Sequence, residues 1–258
     1  MIAKRQLTSI RFQVSFFWVT ACLFFCCAQS VSGQSTVIRN GSGSLEVSRS
    51  LTPEKVEQWT HFLSRHPGYW TITVDDRGIM SAAAVSDGEF FANFDEQSFQ
   101  AWLRMEAPLL GVDQATLDSL TLTDQKDTPG CIYYTYQSRF AGIEVFDSTL
   151  DLKISKKGHL LGIINHLQPN CQPSNLETFE RERALANLKQ LYSQQLLGDD
   201  GAVIYVNNRT CQLVIQCHIL LPLVGYERPV ETFCLADENG HLLFRKARTV
   251  PYRPDATE

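Results

Sequence analysis

Residues 133–167 constrain the fold more than any other part of the chain. Tyr134, Tyr136 and Ser138 alternate with Tyr133, Thr135, Gln137 and Arg139, the period of two of a strand with unlike faces. Ala141-Gly142 breaks the run. Leu150, Leu152 and Ile154 then alternate with Asp151, Lys153 and Ser155, which predicts a half-buried strand. Lys156-Lys157-Gly158 is a tight turn in which Gly158 can take a positive φ. Residues 160–167 return as a third strand. The stretch holds no paired carboxylates, no nucleophile beside a base and no phosphate loop. It reads as a scaffold that presents a surface.

The start of the 258-residue chain reads as a secretory signal over residues 1–33. Lys4, Arg5 and Arg11 precede an apolar run containing Phe16, Phe17, Trp18, Leu23, Phe24 and Phe25, and the small residues Ala28, Ser30, Ser32 and Gly33 offer cleavage sites. The run is shorter than the roughly 20 apolar residues a spanning helix needs, so cleavage is favoured over an anchor. Bulky Phe24 and Phe25 argue against lipid attachment at Cys26 or Cys27. Cleavage lowers the net charge from −5 to about −8. A mildly acidic extracytoplasmic protein is a poor partner for nucleic acid or an anionic membrane.

Five cysteines remain after the signal: Cys131, Cys171, Cys211, Cys217 and Cys234. An odd count in an oxidising compartment leaves at least one thiol unpaired or intermolecular. Cys217 and Cys234 fall on neighbouring predicted strands, which allows a cross-strand disulfide; burial as small apolar groups is the alternative for most of these cysteines. Asn40 and Asn208 open two glycosylation sequons.

Residues 34–50, rich in Ser, Gly and Asn, read as a flexible lead-in. Thr52-Pro53 starts a helix with Val56, Trp59 and Leu63 on one side. Asp75-Asp76-Arg77-Gly78 joins a hairpin whose Trp70, Ile72 and Val74 point inward. Asp95 caps a second helix that Pro108 stops. Ser174-Asn175-Leu176-Glu177 has the spacing of a capping box for a third helix, which Gly198 ends. Four strands follow, at residues 202–206, 211–221, 232–236 and 241–249.

Catalytic patterns are missing. None of the six histidines is followed by Glu, so the His-Glu-x-x-His helix of a zinc peptidase is absent. There is no Gly-x-Ser-x-Gly either. His159 and His166 are expected on opposite faces of one strand. Asp75-Asp76 and Asp199-Asp200-Gly201 read as solvated turns rather than calcium sites. No cofactor is expected. The aromatic set Tyr133, Tyr134, Tyr136, Phe140 and Phe146 is the surface of interest, mostly core at strand spacing, with Gln137, Arg139 and Glu144 rimming a contact patch.

The order Tyr134 or Tyr136, Gln137, Phe140, Gly142, Ile143, Val145, Phe146, Leu150, Gly158 and Asn165 resembles the fungalysin/thermolysin propeptide (FTP) domain. Asp147 departs from that pattern, where the family usually has Gly. Phe99, Trp102, Leu103 and then Leu109-Leu110-Gly111-Val112-Asp113 resemble the segment just before those strands. Phe233, Asp237, Asn239, Gly240, Leu242 and Leu243 resemble the PepSY module that follows FTP in the same pro-regions. The resemblance spans about residues 95–250.

The expected fold is α+β, with helix-plus-antiparallel-sheet units in tandem: FTP-like over 95–170, then PepSY-like over 171–250. A helix and hairpin over 51–94 precede them and a tail over 251–258 follows. In the family that the chain resembles, the pro-segment assists folding of its own zinc metallopeptidase and inhibits it until cleavage. The resemblance therefore implies a secreted, non-catalytic module that binds, inhibits or helps to fold a secreted metallopeptidase in trans. The alternatives are the pro-region of a truncated or split metallopeptidase precursor, and a cell-surface binding or structural protein that reuses the scaffold.

Overall fold

Thr52 starts the first helix by accepting a bond from the Lys55 amide at 3.3 Å, with Pro53 in the first turn. The computed structural model describes residues 36–41, 44–47, 51–66, 68–86, 95–168, 172–207, 210–222 and 229–248. Its helices are α1 (Pro53–Arg65), α2 (Glu96–Leu110), α3 (Gln114–Asp118) and α4 (Arg181–Tyr192). Its strands are β1 (Thr36–Gly41), β2 (Ser44–Val47), β3 (Tyr69–Val74), β4 (Met80–Ser86), β5 (Thr121–Asp127) and β6 (Cys131–Phe140). They continue with β7 (Ile143–Ser155), β8 (Leu160–Asn165), β9 (Leu196–Asn207), β10 (Thr210–Leu221), β11 (Val230–Ala236) and β12 (Leu242–Ala247). The fold is α+β. Among the described residues no helix is long and apolar enough to cross a membrane.

The strands run in the order β12-β11-β10-β9-β7-β8-β4-β3-β1-β2, with β6 on β7 and β5 on β6. All pairings are antiparallel except the bridge of β7 to β9, where Val145 pairs with Ile204. The largest core lies under α1 and α2. Trp59 and Phe62 from α1 and Phe99 and Leu103 from α2 meet Trp70, Ile72, Leu150, Leu152 and Ile163 from the sheet. The inward row Trp70, Ile72 and Val74 is buried as alternation requires. Between the two helices, buried Glu106 accepts two bonds from Arg65 Nη2 at 2.9 Å and lies 2.8 Å from His66 Nε2. A buried carboxylate is tolerable only with such partners.

Asn165 braces this half. Its Nδ2 donates to the carbonyls of Met80 at 2.7 Å and Leu110 at 3.0 Å, and its Oδ1 accepts from the Leu167 amide at 3.0 Å. One side chain thus ties β8, β4 and the end of α2. In the second half α4 covers one face of β9–β11, with Ala184 and Leu188 against Ile215, Cys217, Ile219 and Ala236.

Several boundaries differ from the sequence expectation. Residues 34–50 contain β1 and β2 rather than only a flexible lead-in, because β3 offers β1 an edge to pair with. Pro108 lies inside α2, and the helix ends at Gly111, whose φ of 73° is left-handed. A Cβ at Gly111 would sit 2.7 Å from Ile79. Asn175 caps no helix: its Oδ1 accepts from the Leu213 amide at 2.7 Å and its Nδ2 donates to the Leu213 carbonyl at 3.1 Å. α4 starts six residues later, at Arg181, and stops at Tyr192, so Gly198 falls within β9 and not at a helix end. His159 and His166 flank β8 instead of lying in it.

Candidate functional site

The hairpin of β6 and β7 carries the largest irregularity of the sheet. Gln137 pairs with Thr149 and Arg139 with Glu144. Ser138 alone therefore faces the four residues from Val145 to Ser148, an extended bulge. Asp147, at φ 55°, makes the bend. The Gln137 amide fills it, donating to the carbonyls of Val145 at 2.5 Å and Ser148 at 3.1 Å, with the Ser138 carbonyl at 3.3 Å. Ser138 and Ser148 join hydroxyls at 2.6 Å beneath it. The bulge brings Val145 onto β9 and aims Phe146 at the second half of the sheet.

Phe146 stacks on Phe233 with ring centroids 5.5 Å apart and an interplanar angle of 15°. It lies 5.4 Å from Phe244 and 6.3 Å from Tyr205. β7 and β11 are three places apart in strand order, roughly 14 Å in a flat sheet. The contact therefore requires the sheet to curl. These four rings, each partly exposed, lie over buried Val203, Val214 and Leu235. They occupy the face of β9–β12 opposite to α4.

A polar network borders the rings. His218 Nε2 lies 2.9 Å from Asp200 Oδ2, and Nδ1 lies 3.1 Å from Glu231 Oε1. Gln216 Nε2 donates to Asp200 at 3.1 Å, and Arg248 Nη1 donates to Glu231 at 2.8 Å. The Arg248 contact is the main reason why the Glu231 carboxyl is held below its usual range. His218 also meets Phe233 edge-on, 5.7 Å between centroids. Aromatic area beside satisfied charges suits contact with a protein better than chemistry on a small molecule. Among the described residues no group of three or more His, Cys, Asp or Glu is placed to hold a metal ion.

The residues expected to rim a patch divide. Gln137 spends its amide inside the bulge and does not face outward. Glu144 is exposed and Arg139 half-buried near the hairpin tip, and they pair with each other at 2.7 Å. Of the aromatic set, Tyr136 is buried against Phe99, and Phe146 alone reaches the ring cluster. Cys217 and Cys234 are direct register partners, as expected from adjacent strands, but both are free thiols rather than a disulfide. They are fully buried under α4 as small apolar groups, and burial pushes the thiols up to about 12 and about 11. Cys211 is disulfide-bonded instead. Asn40 lies in β1, its side chain outside the described residues; Asn208 and the signal segment also lie outside them.

The network and most of the rings were missed by sequence reading. Asp199-Asp200-Gly201 is strand, not turn: Asp199 accepts from Arg181 on the α4 side, and Asp200 bonds across to β10. The usable signal was alternation, since Gln216 and His218 on β10 and Glu231, Phe233 and Leu235 on β11 each keep one face.

No family model matches the chain, and no curated protein matches it. Among solved structures it is similar to the Bacillus megaterium YpeB C-terminal domain, at 12% identity and a TM-score of 0.32, over 95% of this chain and 99% of that one. A likeness of that degree assigns no role to any residue.

Proposed function

We propose that the protein is an extracytoplasmic, non-catalytic binding module whose ring-bearing face docks on another protein, a secreted zinc metallopeptidase in the first instance. The observation that carries the docking reading is the partly exposed cluster Phe146, Tyr205, Phe233 and Phe244, bordered by the His218 network on the face away from α4. Aromatic residues and arginine concentrate binding energy in protein interfaces. The sequence resemblance to FTP and PepSY pro-regions supports a metallopeptidase as the partner, and the leader-like residues 1–33 support an extracytoplasmic compartment. A stable complex would cover about 800 Å² on each partner.

The test mixes the purified protein with thermolysin-type zinc peptidases and reads complex formation, residual activity and recovery of activity on refolding. The expected result is binding that Phe233→Ala or Tyr205→Ala weakens and that Leu122→Ala on β5 leaves unchanged. Neither complex, inhibition nor assisted refolding with any such peptidase would rule out the metallopeptidase as partner.

A further inference from the structure

Both ring nitrogens of His218 point at carboxylate oxygens, Nε2 at Asp200 on β9 and Nδ1 at Glu231 on β11. An ionised carboxylate only accepts hydrogen bonds, and a neutral imidazole carries one N–H. Satisfying both contacts at once takes two donors, which only the imidazolium carries. Protonating a carboxylate instead is disfavoured at Glu231, whose carboxyl Arg248 keeps ionised. Charge-assisted bonds of this kind are about twice as strong as neutral ones. Among the described residues, the charged groups on this face are Asp200 from β9, Glu231 from β11, Arg248 beyond β12, and Lys246 of β12, the register partner of Phe233; Gln216, on its own strand, is neutral.

We infer that His218 is a proton-operated latch for the ring face: as imidazolium it clamps β9 and β11 to β10 beside Phe233, and loss of a proton releases one side. After that loss, one ring nitrogen turns a lone pair toward a carboxylate oxygen, and attraction becomes repulsion. The imidazole ring stands edge-on to Phe233, so the release is felt first by the ring that stacks on Phe146. The consequence for binding rests on the docking reading above: a partner that needs the assembled face binds more weakly as pH rises through the His218 titration.

The experiment follows the His218 ring signals by NMR from pH 5 to pH 8.5 in the whole protein, together with the ring signals of Phe233 and Phe244 and the protection of the Phe233 amide against exchange. In the wild type, the ring signals should shift in step with His218, and amide protection should fall about tenfold above the transition. His218→Gln, which cannot titrate, should show neither change. Ring signals and protection that ignore the His218 titration would overturn the latch. This readout needs no partner, so an absence of metallopeptidase binding at every pH would count against the docking reading and leave the latch to be judged on its own titration.

Discussion

The Gln137 Nε2 donates to the Val145 carbonyl at 2.5 Å, across a bulge in which one residue of β6 faces four of β7. That bond and the one to Ser148 let the hairpin depart from regular pairing without orphaned carbonyls. Gln137→Ala should therefore cost about 1–3 kcal/mol, the range for a buried polar group that loses its partner. Gln137→Glu should cost at least as much, because its carboxylate faces the same oxygens without a donor. Urea midpoints measure both. A Gln137→Ala midpoint equal to the wild type would mean that water replaces the amide.

How much of this could be read from sequence depends on the range of the interaction. The inward rows of β3, β6 and β7 follow local alternation and were legible at Trp70, Ile72, Tyr136, Leu150 and Leu152. So were the caps at Thr52 and Asp95, set by a residue and an amide three positions on. The bulge was not legible, since three extra residues on β7 only acquire meaning once β9 is beside them. Ser174 and Glu177 satisfy the local rule for a capping box, but Ser174 is claimed by Cys211, 37 residues away, and Asn175 by Leu213, 38 residues away. The ring cluster draws on β7, β9, β11 and β12, so no window of sequence contains it.

The turn between β6 and β7 is strained at one position. Phe140 pairs with Ile143, and both intervening residues have positive φ, 50° at Ala141 and 81° at Gly142. Two-residue turns of this hand favour Asn-Gly, because a Cβ crowds the backbone there. Ala141→Asn should stabilise by about 0.5–1 kcal/mol. Gly142→Ala should destabilise by about 1 kcal/mol through the backbone alone, as nothing lies within 4 Å of the added carbon. Thermal melts of the two variants should move in opposite directions. Asp147, at φ 55°, should likewise accept Gly without loss.

Acid should loosen the helix starts. The Asp95 carboxyl is held below its ordinary 3.8 chiefly by the Ser98 amide, and the Asp113 carboxyl chiefly by the Thr116 amide. A carboxyl depressed by folding adds stability that is fully present above its unfolded value and is lost as pH falls through the folded one. Their contribution should be intact at pH 6 and should decline from about pH 4 downward. The double variant Asp95→Asn, Asp113→Asn should lose less of its urea midpoint between pH 6 and pH 3 than the wild type does. Equal losses in the two proteins would place the acid sensitivity elsewhere.

Cys217 and Cys234 should be chemically silent in the folded protein. Burial pushes their thiols up to about 12 and about 11, so at pH 8 the thiolate of Cys234 is on the order of one molecule in a thousand, and that of Cys217 scarcer still. Both side chains are also closed off by Ala184 and Leu188 of α4. A disulfide-exchanging reagent at pH 8 should modify neither residue until urea unfolds the chain, and peptide mass mapping reads each site separately. Rapid labelling of either one in the native protein would show that α4 lifts from the sheet. Substitution should follow the same logic. Cys217→Ala removes one buried atom and should cost about 1 kcal/mol, whereas Cys217→Ser sets a hydroxyl among Ile215, Ile219 and Ala236 and should cost more, because a hydroxyl loses more than a thiol when it is stripped of water.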